Sequence, residues 1–290
     1  MIGPSCISLG TSGLGTQTIL ALAKHNPRQI VFTGRNAGSA QKVIEQAGAN
    51  VTSFISCDMN SLQSVKDAAQ TFTARWGTAD ILIANAGINK TGESDKKLSK
   101  DGFEPMWGVN HVAHALLVRK LLPEMEAKAK AGADVRIVLL SSLLHSTTPD
   151  GGIDYSSTHK FVDYGLGRTD LKRYGQSKLA NLLYAQELSK RYPSILTVSL
   201  HPGLVMTEMN TSAPWYVRTL MAIFVPFDRL QPDQGAFTTL WAATENRERL
   251  VNGEYYEPVG EVGKKSANVT SEKSSKLWAW TEESLANWLQ

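Results

Sequence analysis

Tyr174 and Lys178 stand four residues apart at the start of a helix-like stretch, so their side chains share one helical face. An ammonium beside a phenol favours the phenolate and lowers the phenol's pKa from its usual value of about 10, which makes an acid–base group usable at neutral pH. Ser141-Ser142 follows directly on an apolar run. Neighbouring side chains on a strand point to opposite sides, and Ser142 is the better candidate to meet that phenol. Three glycines, Gly10, Gly13 and Gly15, with Ser12 and Leu14 among them, end the first apolar run and lead at once into a helix pattern. Glycines there allow a tight turn and bring backbone close to a pyrophosphate at a helix N-terminus. An ordinary glycine-rich turn is the plainer alternative. The second apolar run ends in Thr33-Gly34-Arg35. Dinucleotide folds that prefer NAD carry an acid there for the ribose hydroxyls; the cation of Arg35 suits a 2′-phosphate and points to NADP(H). A surface arginine is the competing reading. Asp58-Met59 and Asn85-Ala86-Gly87 end the third and fourth runs, where open α/β sheets bind ligands.

These groups need a scaffold. Apolar runs rich in Ile, Val and Leu fall at 5–9, 29–33, 51–56, 80–84, 135–140 and 195–200. They do not alternate with polar residues, as expected of strands buried on both faces. Helix-like stretches occupy 16–25, 61–76, 110–130 and 174–191. Strands alternating with helices predict right-handed βαβ units, hence an α/β fold with one Rossmann-like, doubly wound parallel sheet flanked by helices. No linker rich in Pro, Gly or Ser divides the chain, so residues 1–290 read as one dinucleotide-binding catalytic domain. The length beyond such a domain falls near 143–173 and 208–232, which we expect to face substrate. Within the second, 214–227 is apolar and reads as a lid, a membrane-surface contact or a buried helix. Trp278, Trp280 and Trp288 sit in a C-terminal helix pattern and read as core.

The net charge is +3, with 30 basic and 27 acidic residues dispersed along the chain, so a nucleic-acid footprint is not expected. Two cysteines, Cys6 and Cys57, do not make a disulfide framework, and a reducing, cytoplasmic setting follows. No apolar run is long enough to span a bilayer. His145, His159 and His201 lack metal-ligand spacing, so no metal is expected. His145 could touch substrate.

Taken in order, Gly10–Gly15, Asp58, Asn85-Ala86-Gly87, Asn110, Ser142, Tyr174-x-x-x-Lys178 and His201-Pro202-Gly203 with Thr207 make the chain resemble the short-chain dehydrogenase/reductase family over nearly its whole length. Residues 178–181 and 199–203 are most similar to its retinol-dehydrogenase-like branch and related fungal reductases. The resemblance implies roles. Tyr174 exchanges the substrate proton, Lys178 holds the nicotinamide ribose and tunes Tyr174, Ser142 binds the carbonyl, and Asn110 holds a water leading to Lys178. Gly10, Ser12, Gly13 and Gly15 bind the cofactor at the glycine turn, and Leu14 touches its diphosphate or its nicotinamide side. Arg35 meets the 2′-phosphate, and Asp58 and Met59 the adenine. Asn85, Ala86 and Gly87 line a ribose, and Pro202, Gly203, Val205 and Thr207 the carboxamide. It also implies a homodimer or tetramer built on the helices at 110–130 and 174–191. The glycine turn departs from the family's spacing, because Leu9 stands where the first glycine would.

The expected activity is an NADP(H)-dependent carbonyl reductase. It would interconvert a carbonyl and an alcohol on a hydrophobic or polyketide-like small molecule in secondary metabolism. Two alternatives share the fold: a non-catalytic NADP-binding sensor or scaffold, and a cofactor-independent isomerase or cyclase.

Overall fold

A computed structural model describes residues 4–8, 13–89, 97–165, 168–205, 229–230 and 234–290, with backbone alone at 4–8, 204–205, 229–230 and 234. Its centre is a sheet of strands β1 (Pro4–Ser8), β2 (Gln29–Gly34), β3 (Thr52–Ser56), β4 (Ile81–Ala84), β5 (Arg136–Leu140), β6 (Leu196–Leu200), β9 (Tyr255–Glu257) and β10 (Glu261–Val262). They lie in the order β10-β9-β6-β5-β4-β1-β2-β3. All neighbours are parallel except β10 against β9. The order reverses direction at β1 and β4, which makes the sheet doubly wound, as expected from the alternation of runs. Two short strands, β7 (Leu204–Val205) and β8 (Arg229–Leu230), pair with each other apart from it.

Helices cover both faces. On one side α1 (Gly13–Ala23), α2 (Ala37–Ala47) and α7 (Phe237–Thr244) close a layer around Ile19, Ile30, Phe32, Val43, Val138, Leu200 and Ala242. On the other, α3 (Leu62–Trp76), α5 (Ala113–Lys130), α6 (Thr169–Arg191) and α8 (Ser271–Leu289) close a layer around Leu82, Ile137, Leu116, Leu183 and Leu277. Central strands such as β4 and β5 are buried along their whole length. That accounts for their unbroken apolar sequence.

The aromatic residues of α8 are core. Trp278 stacks on Tyr184 of α6 with ring centres 5.4 Å apart, and Arg119 of α5 pairs with Glu282 at 2.8 Å. The outward faces of α5 and α6 are thus partly occupied by the chain's own last helix. Cys57 is a buried free thiol. Among the described residues no helix is long and apolar enough to cross a membrane.

Helices α1 and α6 start earlier than the sequence expectation, which also lacks α2, α7, β9 and β10. Helix α6 starts at Thr169, so Tyr174 sits in its second turn rather than opening it. The extra turn is polar apart from an exposed Leu171 and carries no apolar period to read. Helix α2 was not anticipated; Asn36 caps it by accepting from the Ser39 N–H at 2.9 Å. Most of 208–232, including the apolar 214–227, lies outside the described residues.

Candidate active site

The C-terminal ends of β4, β5 and β6 are level. Ala84 is opposite Leu139, and Leu140 opposite Leu200. Each chain therefore leaves the sheet at the same edge, at Asn85, Ser141 and His201. The two serines after β5 diverge as strand neighbours must. Ser141 Oγ donates to the Lys178 carbonyl at 2.8 Å, which fastens β5 to α6. Ser142 caps a 3₁₀ turn (Leu143–Ser146), its Oγ accepting from the Leu144 N–H at 3.2 Å, and its hydroxyl lies on the side of the Tyr174 phenol.

Lys178 is almost fully buried. Its Nζ lies 5.6 Å from the centre of the Tyr174 ring and donates to the Leu140 carbonyl at 3.1 Å. The same carbonyl accepts from Asn181 Nδ2 at 3.0 Å. No carboxylate pairs with Lys178 among the described residues. Asn110 is fully buried in a π-helical turn (Gly108–Val112), a widening that recurs at functional sites. Its amide spans Ile88, accepting from N–H at 2.7 Å and donating to C=O at 3.0 Å, and also donates to Ser177 Oγ at 3.0 Å. A Cβ on Gly87 would lie 3.3 Å from Asn110 Oδ1 and 3.4 Å from Lys178 Nζ, so the missing side chain leaves room beside both groups. Asn110, Ser142, Tyr174 and Lys178 are brought together.

The electrostatics differ from the sequence expectation. Burial pushes the Tyr174 phenol up to about 12, offset in part by its bond to Ser142. Burial also brings the Lys178 ammonium down to about 8. Lost hydration is the largest influence on each group and opposes the charged form of both, so the phenol is not lowered. At neutral pH Tyr174 is a proton donor beside a cation.

The remaining candidates lie around this centre. Gly13 has φ 57°, a left-handed conformation that favours glycine, and starts α1, whose first turn carries no acidic residue. Leu14 and Gly15 follow in the same turn. Gly10, Ser12 and Thr207 lie outside the described residues, as does the departure at Leu9; Val205 is described by its backbone. Arg35 is exposed just past β2, without an ion-pair partner among the described residues. Asp58 accepts from the Asn60 N–H at 3.1 Å and pairs with exposed Lys100 at 3.3 Å, while Met59 packs against the core. His114 Nε2 reaches the Ala86 carbonyl at 2.7 Å and holds the 85–87 loop. Pro202 and Gly203 are half-buried past His201.

Two residues of the site, Ser177 and Gly175, were not assigned from sequence, and a third, His145, was expected only as a substrate contact. Ser177 Oγ donates to the Tyr174 carbonyl at 2.7 Å while accepting from Asn110. His145 does not await a ligand. Its Nδ1 donates to the Ser142 carbonyl at 2.7 Å and its Nε2 accepts from the Ser266 N–H at 3.2 Å, so it steadies the serine from behind. Gly175 lies so close to the 3₁₀ turn that a Cβ would fall 1.9 Å from the Thr147 carbonyl oxygen and 2.6 Å from that of Leu144. A glycine inside a helix is the one signal that could have marked it.

A dinucleotide fits these residues. Lys178 and Arg35 are cations without carboxylate partners among the described residues, at opposite ends of the edge where β2, β1, β4 and β5 end. An uncompensated cation buried at an open sheet edge is costly unless a ligand's polar groups meet it.

The sequence model described as short chain dehydrogenase matches residues 6–169. A short-chain dehydrogenase/reductase of Aspergillus calidoustus is 33% identical, over 95% of this chain and 91% of its own. The fold is similar to a 3-ketoacyl-(acyl-carrier-protein) reductase from Brucella melitensis complexed with NADH (TM-score 0.69, 20% identity, 92% of this chain and 98% of that one). It is similar also to an NADPH-bound carbonyl reductase from chicken fatty liver (TM-score 0.66, 20% identity, 91% and 100%).

Two outcomes follow from the packing and the charges. Gly175→Ala should lower the stability measured by urea unfolding by about 2 kcal/mol, as overpacking does. An ordinary mid-helix Gly→Ala would instead gain up to about 1 kcal/mol, so a raised midpoint would contradict the close approach. Holding Lys178 near 8 rather than its ordinary value costs roughly 3 kcal/mol at pH 7. The unfolded chain binds that proton more tightly, so stability gains from this group as pH rises from about 8 to 10.5. Lys178→Met should therefore raise the melting temperature at pH 7, with an advantage that shrinks above pH 8. Equal advantage at pH 7 and pH 10 would count against a buried charge.

Proposed function

The chain belongs to the short-chain dehydrogenase/reductase family, and from that premise we propose that it is an NADP(H)-dependent oxidoreductase interconverting a carbonyl and an alcohol on a hydrophobic small molecule. The observation that carries this reading is the convergence of Ser142, Tyr174 and the buried Lys178, whose Nζ lies 5.6 Å from the centre of the Tyr174 ring. Ser142 and Tyr174 take the carbonyl oxygen of the substrate between their hydroxyls. Tyr174 gives its proton to that oxygen in reduction and takes it back in oxidation. Lys178 stabilises the phenolate left behind and holds the nicotinamide ribose. The bound dinucleotide supplies the hydride. Asn110 fixes the loop after β4 against α6, which keeps Gly87 open beside Lys178.

Arg35 supports the phosphorylated cofactor. The similar folds include one protein solved with NADH and one with NADPH, so the choice rests on this chain's own cation. Exposed Leu143, next to Ser142, and exposed Leu171, one helical turn before Tyr174, support an apolar substrate. On this reading the chain is one catalytic domain in the cytoplasm. Residues 143–173 border the substrate, with 208–232 as their counterpart. Leu14, Gly15, Asp58, Met59, Asn85, Ala86, Pro202, Gly203 and Val205 line the cofactor in the roles expected above.

A panel of aromatic ketones, quinones, retinals and steroids followed by NADPH absorbance tests the reaction. Tyr174→Phe should remove turnover while NADPH still binds, and substantial residual reduction would refute the assigned acid. Arg35→Asp should move preference from NADPH toward NADH. For reduction, kcat/KM should decline above pH about 8, as free Lys178 loses its proton. A profile level to pH 10 would separate Lys178's charge from catalysis.

A further inference from the structure

A buried ion pair outside the catalytic set joins the two elements that carry it. Glu104 is fully buried and Arg173 nearly so. The guanidinium pairs with Glu104 through Nη2 and through Nε at 3.1 Å. Glu104 also caps the short helical turn α4 (Pro105–Trp107), accepting from the Met106 N–H at 3.1 Å and the Trp107 N–H at 2.8 Å. That turn runs directly into the π-turn bearing Asn110. Arg173 is the residue before Tyr174. Its guanidinium lies over Phe161, 4.5 Å from the ring centre, and bonds Asp170 at 3.2 Å. The Glu104 N–H donates to the Thr158 carbonyl at 2.8 Å, and Gln176 donates to Ser157 at 2.9 Å. Residues 154–161 are thereby fastened to the same junction.

For stability alone this is an uneconomical contact. Removing two charges from water costs several kcal/mol each, and an apolar pair of similar volume often serves as well or better. What an ion pair with both carboxylate oxygens engaged adds is a fixed geometry: Glu104 Oε1 accepts from Arg173 and Met106, and Oε2 from Trp107. Here it works beside a second polar link, Asn110 to Ser177 to the Tyr174 carbonyl. Two links between the same pair of helices set how far α6 lies along its own axis. That setting decides whether the Tyr174 hydroxyl meets Ser142.

We propose that Glu104 and Arg173 are positioning residues for Tyr174. The pair acts through α6, touches neither substrate nor cofactor, and governs the chemical step rather than binding. This inference rests on the proposed reaction. Glu104→Gln keeps an acceptor oxygen for one of the two capping N–H groups and removes the charge that holds Arg173. The double variant Glu104→Met/Arg173→Leu replaces the pair with apolar volume. Both should lower kcat by about tenfold or more, the scale of a misplaced catalytic group, while KM and the NADPH dissociation constant stay within about twofold. A double variant with wild-type kcat would overturn the proposal, because the pair would then only fill space. A parallel rise in KM and in the NADPH dissociation constant would overturn it also. A crystal structure of the double variant reads the same point without turnover: the Tyr174 ring should have moved away from Lys178 Nζ, which lies 5.6 Å from its centre in the wild type. If the wild type reduces no carbonyl, the functional reading fails, and this crystallographic separation alone decides the positioning role.

Discussion

Lys178 is an ammonium buried without a carboxylate among the described residues, and the site is arranged around the need to keep it there. Its one protein acceptor is the Leu140 carbonyl at the end of β5. Asn181 shares that carbonyl, and Ser141 returns a bond to the Lys178 backbone. Helix α6 is thus sewn to the edge of the sheet on both sides of the lysine. Side-chain placement there is a consequence of main-chain docking. A lysine held only by its own flexible stem would swing toward water; one whose helix is fastened to the strand cannot.

Docking alone would leave Tyr174 free to slide relative to Ser142. The close approach of Gly175 to the Leu143–Ser146 turn removes that freedom in one direction, since main chain meets main chain. His145 removes it from behind by holding the Ser142 carbonyl with a nitrogen that must carry its proton, while its other nitrogen accepts from Ser266. Burial keeps that imidazole neutral, which this pair of bonds requires. The site is rigid because polar groups are paired off against backbone, which stays put when side chains move.

This division explains how much could be read from sequence. Strands buried on both faces announce themselves as unbroken apolar runs, and β2 through β6 stood close to the expected positions. The four central residues followed from type and order. What stayed illegible depends on approach between distant segments. Gly175 is one glycine in a polar stretch until Thr147 is folded against it. Glu104 and Arg173 are unremarkable charges nearly seventy positions apart until both are buried. Helix α2 carries Ala40, Val43, Ile44 and Ala47 at helical spacing, so its pattern was legible and the expectation passed over it. The acidity of Tyr174 was read the wrong way because four-residue spacing reports a neighbour's charge and not the water both groups lose.

That loss of water has a further consequence for the field in the site. Burial lowers His114 and His201 to about 4 and pushes Tyr174 up to about 12, so each is uncharged at neutral pH. Glu104 and Arg173 cancel as a pair. Lys178 is left as the one net charge among the described groups at the centre, in surroundings where little screens it. A developing negative charge on a substrate oxygen or on the phenol beside it would feel that cation more strongly than it would in water. The cost of burying the lysine and its capacity to stabilise a transient anion therefore have one origin, and the structure could not reduce the first without weakening the second.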